Sequence, residues 1–168
     1  NKINIVDKPN SRSSHKKNVL LGGGIIFPVG IFLWFLWSGY MFPWFILGLL
    51  LISVISFIDD IRPTHAIVRL FFHFIALMLL FIQVGFLSYP WWAWIVALIL
   101  SAGIINAYNF MDGINGITVG YSLAILFGLF LAEFFLVSYI DYSILIALLI
   151  SLGVFGFYNF RKNARCFA

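Results

Sequence analysis

The sequence predicts an all-α fold, a polytopic transmembrane helix bundle of about six spans with both termini cytoplasmic, and three observations predict it. The first is composition. Of 168 residues, 63% are hydrophobic, 20% aromatic and only 10% charged, with a mean hydropathy of +1.06, more apolar than a water-soluble chain of this length can conceal. The second is recurrence: apolar runs of roughly 20 residues, enough to cross a hydrocarbon core of about 30 Å, return along the chain instead of occurring once as in a signal peptide. The third is charge placement. The ten Lys and Arg fall in the N-terminal stretch (Lys2, Lys8, Arg12, Lys16, Lys17), the second connection (Arg62, Arg69) or the C-terminal end (Arg161, Lys162, Arg165). The alternate connections carry none, which places the termini and the Asp59–Asp60 connection on the cytoplasmic side.

Taken in order, the first predicted span, Val19 to Trp37, follows a basic Ser/Asn-rich stretch, opens on Gly22, Gly23 and Gly24, and contains Pro28, which predicts a kink. The second, Met41 to Ile58, stops at two adjacent carboxylates, and Pro63 prevents the helix from continuing far beyond them. The third is Ile67 to Phe86 and the fourth Trp91 to Phe110. The fifth, Ile117 to Val137, carries Glu133 near its outer end, read as an interface residue whose carboxylate snorkels. The sixth is Ile144 to Phe160. Trp37, Tyr40, Trp44, Tyr89, Trp91, Trp92, Trp94 and Tyr139 gather on the side opposite the basic residues, as an interfacial aromatic belt does. The formal charge of +4 then describes a rim facing anionic headgroups, with membrane lipids as partners and no nucleic acid. The lone Cys166 excludes an internal disulfide and a cysteine metal cluster. Residues 1–168 read as one membrane domain, and a start at Asn1 with a basic, non-apolar tail predicts a fragment of a longer protein.

Polar groups carry information where lipid would forbid them. A carboxylate in a spanning helix costs at least ~2.5 kcal/mol unless it reaches water, a partner or a cavity. Asp59 and Asp60 are about 100° apart if the helix persists, so at least one faces the bundle interior. In "NAYNFMDGINGI", Asn106, Asn109, Asp112 and Asn115 recur every third residue at another cytoplasmic helix end. Asn106 and Asn109 share a helix face; Gly113 and Gly116 let the backbone leave the helix and curl, which would gather all four polar side chains around one cavity. In "DKPNSRSSHKKNVLLGGG", the glycines can present backbone N–H groups to phosphate oxygens with Lys16 and Lys17 beside them, although glycines at membrane helix ends also serve close packing.

Acids, amides and basic residues on one membrane face suit a place where a divalent cation meets several phosphates. Mg²⁺ takes one or two carboxylates together with phosphate oxygens and water, and Arg69 with the N-terminal lysines could hold a pyrophosphate. One substrate would be a lipid phosphate and the other a soluble nucleotide. A transporter or scaffold that binds an anionic solute at an interrupted helix is the alternative; it predicts inverted-repeat symmetry, which the sequence lacks.

These motifs, "DKPNSRSSHKK…GGG", "FIDD" and above all "NAYNFMDGINGI", with "GFYNFRKNARCFA" at the end, resemble the polyprenyl-phosphate N-acetylhexosamine-1-phosphate transferases of glycosyltransferase family 4. The resemblance implies transfer of an N-acetylhexosamine 1-phosphate from a UDP-sugar to undecaprenyl phosphate with release of UMP, initiating a cell-surface glycan of the O-antigen or capsule type. It implies a bacterial inner-membrane enzyme with a cytoplasmic-face site, dependent on Mg²⁺ or Mn²⁺, and compatible with a homodimer. By the same resemblance Asp59 and Asp60 are catalytic, with Asp59 acting on the lipid phosphate. Asn109 is a metal ligand, Asn106, Asp112 and Asn115 bind the nucleotide, and Arg69 holds phosphate, beside Lys16 and Lys17, whose charge suggests the same role. The family's acidic Mg²⁺ ligand and its His-rich loop would fall beyond Ala168, and His15, His65 and His73 do not replace that loop by spacing. The expectation is therefore that these 168 residues alone are inactive.

Overall fold

In hydrocarbon every backbone N–H and C=O must find a partner within the protein, so apolar runs free of interior proline fold as helices. The computed structural model describes residues 6–7, 19–20, 22–62, 64–111, 116–136 and 140–160. It is all-α apart from an antiparallel pair of two-residue strands, β1 (Val6–Asp7) and β2 (Val19–Leu20), in register Val6 with Leu20. The helices are α1 (Ile26–Trp37), α2 (Pro43–Ile61), α3 (Ala66–Gln83), α4 (Trp91–Met111), α5 (Ile117–Phe135) and α6 (Tyr142–Asn159). Five of them, α2 to α6, are long and apolar enough to cross a membrane, and the protein is a multi-pass membrane protein.

The first predicted span needs correction. Val19 and Leu20 lie in β2, Gly22 takes a left-handed φ of 85°, and a single 3₁₀ turn over Gly23–Ile25 precedes α1. Successive glycines disfavour helix, and the 12 residues of α1 span only about 18 Å. Pro28 falls in the first turn of α1, where its missing N–H leaves no intrahelical bond unmade, and not in mid-span where it would kink the helix. The third predicted span also ends early, at Gln83, because Gly85 turns left-handed and Phe86–Ser88 form a 3₁₀ turn.

The chain comprises two compact units. In the first, Ser38–Phe110, α2 and α3 form a hairpin. Gly48 lets the helices approach: a Cβ there would stand 3.0 Å from the carbonyl oxygen of Ala76, the small-residue contact that substitutes in lipid for a hydrophobic driving force. Toward one end of the hairpin the backbone N–H of Trp44 donates to Oε1 of Gln83 at 3.0 Å; the other end carries Asp59. His73, only 4% exposed, lies on α3, and among the described residues its Nδ1 has no hydrogen-bond partner.

In the second unit, Ile5–Trp37 with Met111–Ala168, α6 is the central helix and packs on both α1 and α5. Gly30 of α1 faces Ser151 so closely that any Cβ would overlap the hydroxyl, and Phe27 meets Phe155 with ring centroids 5.5 Å apart. The indole N–H of Trp34 donates to Ser143 Oγ at 2.6 Å, and the Ser143 hydroxyl donates to Asp141 Oδ1 at 2.6 Å. Asp141 also accepts the Ser143 backbone N–H at 2.7 Å, capping α6. Glu133 is 4% exposed and accepts the backbone N–H of Ile140 at 3.0 Å. It therefore ties the α5–α6 connection from inside and does not snorkel outward as its position near a helix end suggested.

Trp37, Tyr40, Trp44, Tyr89, Trp91 and Trp92 are exposed at helix ends and connections, as a belt requires, while Trp94 is half-buried; Tyr139 lies outside the described residues.

Candidate active site at the Asp59 corner

The second predicted span ends at Ile58, but α2 continues helically through Asp59 and Asp60 to Ile61. Arg62 then turns extended, with φ −144° and its N–H still bonded to the Ile58 carbonyl at 2.8 Å. A carboxylate in the last turn of a helix faces the negative end of the macrodipole, which costs about 0.3–1 kcal/mol. Donors from the following segment compensate. The Thr64 backbone N–H and hydroxyl both donate to Asp59 Oδ1, at 2.7 and 2.6 Å, and Arg69 Nη1 donates to Oδ2 at 3.1 Å. The pair is partly solvated, with side-chain exposures of 24% for Arg69 and 23% for Asp59, so it contributes positional order more than stability. Asp60, the next residue around the helix, is half-buried.

This cluster joins two of the predicted site residues, Asp59 and Arg69, and gives Arg69 a carboxylate partner. Arg62, nearer in sequence, is exposed, and Asp59 pairs with Arg69 of the next helix. Leu70, Phe74 and Leu77 of α3 line an apolar groove of about 350 Å³ with Ile95, Leu98 and Ala102 of α4. Asn106, half-buried, lies one turn beyond Ala102 on α4. The backbone of Asn109 belongs to α4. Its side chain, and Asp112, Asn115, Lys16 and Lys17 entirely, lie outside the described residues.

Two polar residues in the described structure were missed by sequence reasoning. Thr64 makes both hydrogen bonds to Asp59 Oδ1; a hydroxyl residue just after a helix-stopping proline and just before the next helix was the available signal. Asn159 is 1% exposed at the end of α6 and accepts the Gly116 N–H at 2.7 Å. A lone amide in an apolar span was its signal.

Among the described residues no three His, Cys, Asp or Glu side chains converge as a closed metal cage. Mg²⁺ does not need one: it binds through one or two carboxylates plus phosphate oxygens and waters. Asp60, half-buried beside Asp59 in the last turn of α2, offers one carboxylate of that kind.

Comparison with known proteins follows the same lines. The sequence profile of glycosyl transferase family 4 matches residues 42–168. The undecaprenyl-phosphate α-N-acetylglucosaminyl 1-phosphate transferase of Yersinia pestis is 32% identical over 137 residues, covering 72% of this chain and 38% of that protein. Its Salmonella typhi counterpart is 30% identical over 137 residues, 72% of this chain and 37% of that protein. A Synechococcus phospho-N-acetylmuramoyl-pentapeptide-transferase is 29% identical over 143 residues, 69% of this chain and 42% of that protein. The chain thus spans about two fifths of the length of the curated relatives it matches. No solved structure matches it.

Proposed function

The chain belongs to glycosyl transferase family 4, and on that premise we propose that the protein transfers N-acetylhexosamine 1-phosphate from a UDP-sugar to undecaprenyl phosphate, releasing UMP. The product, an undecaprenyl diphosphate-linked sugar, initiates a cell-surface glycan of the O-antigen or capsule type. Support for the lipid acceptor comes from relatives named for undecaprenyl phosphate. The observation that carries the chemistry is the ordered Asp59–Thr64–Arg69 corner beside Asp60.

In the proposed reaction an oxygen of the lipid phosphate attacks the sugar-linked phosphorus of the UDP-sugar. The bond to the UMP oxygen breaks as the new P–O–P bridge forms. A phosphate monoester has a second pKa near 6, so the nucleophile is largely deprotonated at neutral pH. Asp59 has only to orient that phosphate or accept its residual proton, and the Thr64 hydrogen bonds hold the carboxylate in one rotamer while it does so. Arg69, anchored on Asp59, presents positive charge to phosphate oxygens, joined by Lys16 and Lys17. Asn106, Asp112 and Asn115 receive the nucleotide. Asp60 and Asn109 would hold Mg²⁺, or Mn²⁺ in its place, which would neutralise phosphate charge. The site would face the cytoplasm from the bacterial inner membrane, and the protein would act alone or as a homodimer.

The test is UMP release from UDP-N-acetylglucosamine and undecaprenyl phosphate, with Mg²⁺, by membranes carrying the whole protein to which these 168 residues belong, since the 168 residues alone are expected to be inactive. Asp59→Asn and Asp60→Asn should each lower the rate by about 100-fold or more, the scale on which general acid–base groups act. Retention of more than a tenth of the rate in both variants would refute the assignment.

A further inference from the structure

The two oxygens of Asp59 are held by unlike means. Oδ1 accepts the Thr64 backbone N–H at 2.7 Å and the Thr64 hydroxyl at 2.6 Å, donors supplied by the turn itself. Among the described residues Oδ2 accepts from Arg69 alone, through Nη1 at 3.1 Å, at the end of a long side chain that is 24% exposed. A backbone donor cannot leave unless the turn unfolds, whereas a partly solvated guanidinium is weakly held and can rotate away at small cost. The contact also uses one nitrogen of the fork. An arginine binds most firmly when two of its N–H groups meet two oxygens of one anion. A phosphate monoester at neutral pH carries a charge of about −1.5 to −2 on three acceptor oxygens, which makes it the stronger partner for that fork. Arg69 stands where a lipid would present one: it lies in the first turn of the membrane helix α3, and Leu70 beside it begins the apolar groove that Phe74 and Leu77 continue.

We propose that Arg69 changes partners during the reaction: it rests on Asp59 Oδ2 and moves to the phosphate of the lipid acceptor, uncovering Oδ2 while Thr64 keeps Oδ1 in place. The proposal rests on the functional reading in one respect, that a polyprenyl phosphate is the acceptor. Oδ1 is then the anchor of Asp59 and Oδ2 its working oxygen. The residual proton of the phosphate finds that oxygen open only once the acceptor has drawn Arg69 away, which ties the readiness of the site to the presence of its acceptor.

The experiment is a double-mutant cycle on the Kd for undecaprenyl phosphate, read without turnover, in the whole protein to which these 168 residues belong, in lipid nanodiscs. Asp59→Asn keeps an oxygen toward Thr64 but no charge toward Arg69. Asp59→Ala is read in parallel: it excludes a new hydrogen bond from the Asn amide to the phosphate, and it carries the test if D59N does not fold. Each should tighten lipid binding, because Arg69 no longer has a carboxylate to leave. The gain should be about three- to fivefold larger with Arg69 present than in an Arg69→Gln background, the scale of a partly solvated ion pair; that background subtracts the plain repulsion between carboxylate and phosphate. A ratio below about twofold would overturn the exchange. So would weaker binding in both Asp59 variants, which would mean that Asp59 keeps Arg69 and aims it at the phosphate. With UDP-N-acetylglucosamine or inorganic phosphate as the ligand, the cycle should show no binding or a ratio below about twofold. A larger ratio for either would assign Arg69 to the donor diphosphate or to phosphate of any origin, and would overturn the acceptor's part. In the unsubstituted protein the Thr64 amide should exchange at the same slow rate with and without undecaprenyl phosphate, and an acceleration of more than about threefold would overturn the anchoring of Oδ1. Absence of UMP release from the unsubstituted protein would instead defeat the functional reading, and the cycle on undecaprenyl phosphate would still decide whether Arg69 is exchanged.

Discussion

The Asp59 corner and the Asn159 joint solve one problem, a polar side chain in a lipid-adapted fold, in opposite ways. Asp59 is charged, 23% exposed, and held by donors from the start of the following helix. Asn159 is neutral, 1% exposed, and bonded to a backbone N–H far away in sequence. At Asp59 the charge is kept where water or headgroups can share its solvation; at Asn159 the polar group is an amide, which accepts a hydrogen bond without carrying a charge. The first arrangement leaves a carboxylate close to solvent, suited to meeting a substrate. The second suits holding backbone in place.

This contrast can be broken most directly at the joint. Gly116→Ala should destabilise the protein by about 1–2 kcal/mol, the cost of a left-handed non-glycine residue; the Phe160 ring, 67% exposed, can swing clear of the added methyl. Gly128→Ala, inside α5 with nothing among the described residues within 4 Å of a built Cβ, should be neutral or stabilising by up to ~1 kcal/mol. Thermal unfolding in detergent distinguishes them, and equal effects would show that the conformation of Gly116 is not constrained. At the corner, Thr64→Val removes the hydroxyl donor but keeps the N–H, so stability should fall by no more than about 1 kcal/mol because the site is partly solvated. UMP release should fall more than stability does; a variant with native turnover would mean that Asp59 does not depend on Thr64 for its orientation.

A stability effect similar to that of Thr64→Val is expected at Asp141, outside the spans. The Ser143 hydroxyl and backbone N–H lower the Asp141 carboxyl pKa below its ordinary 3.8, against a weaker upward push from burial. A lowered folded pKa gives stability that is present above the unfolded value and disappears as pH falls through the folded one. Asp141→Ala should therefore cost about 0.5–1 kcal/mol at pH 7, the scale of a lost helix cap. The difference from the unsubstituted protein should shrink only below the ordinary aspartate value. A difference independent of pH would assign the effect to packing and not to the ionised cap.

Much of this architecture was legible in the sequence because membrane helices are announced by composition, and five of the six predicted spans correspond to α2 to α6 with ends shifted by a few residues. The shifts have local causes. α2 runs past its acids because Asp59 and Asp60 find partners and solvent without unwinding the helix, and α6 begins earlier because Asp141 caps it. Placing α1 failed because hydropathy does not register the glycines' reluctance to enter a helix. At the site, Asp59 and Arg69 were named but their pairing was not, since a contact across a turn depends on where α3 begins. Asn159 was signalled only as a lone amide in an apolar span; its partner is a backbone group, and no side-chain motif encodes a long-range bond to an N–H.

The docking of α1 on α6 gives this chain a spectroscopic handle. Trp34 is 4% exposed, with its indole N–H bonded to Ser143, whereas Trp37, Trp44, Trp91 and Trp92 are open to their surroundings. Brominated phospholipids would quench the emission of those open indoles and spare Trp34 while the two helices remain together. With the half-buried Trp94 replaced by Phe, residual fluorescence in such lipids is a label-free gauge of whether the short first helix is seated.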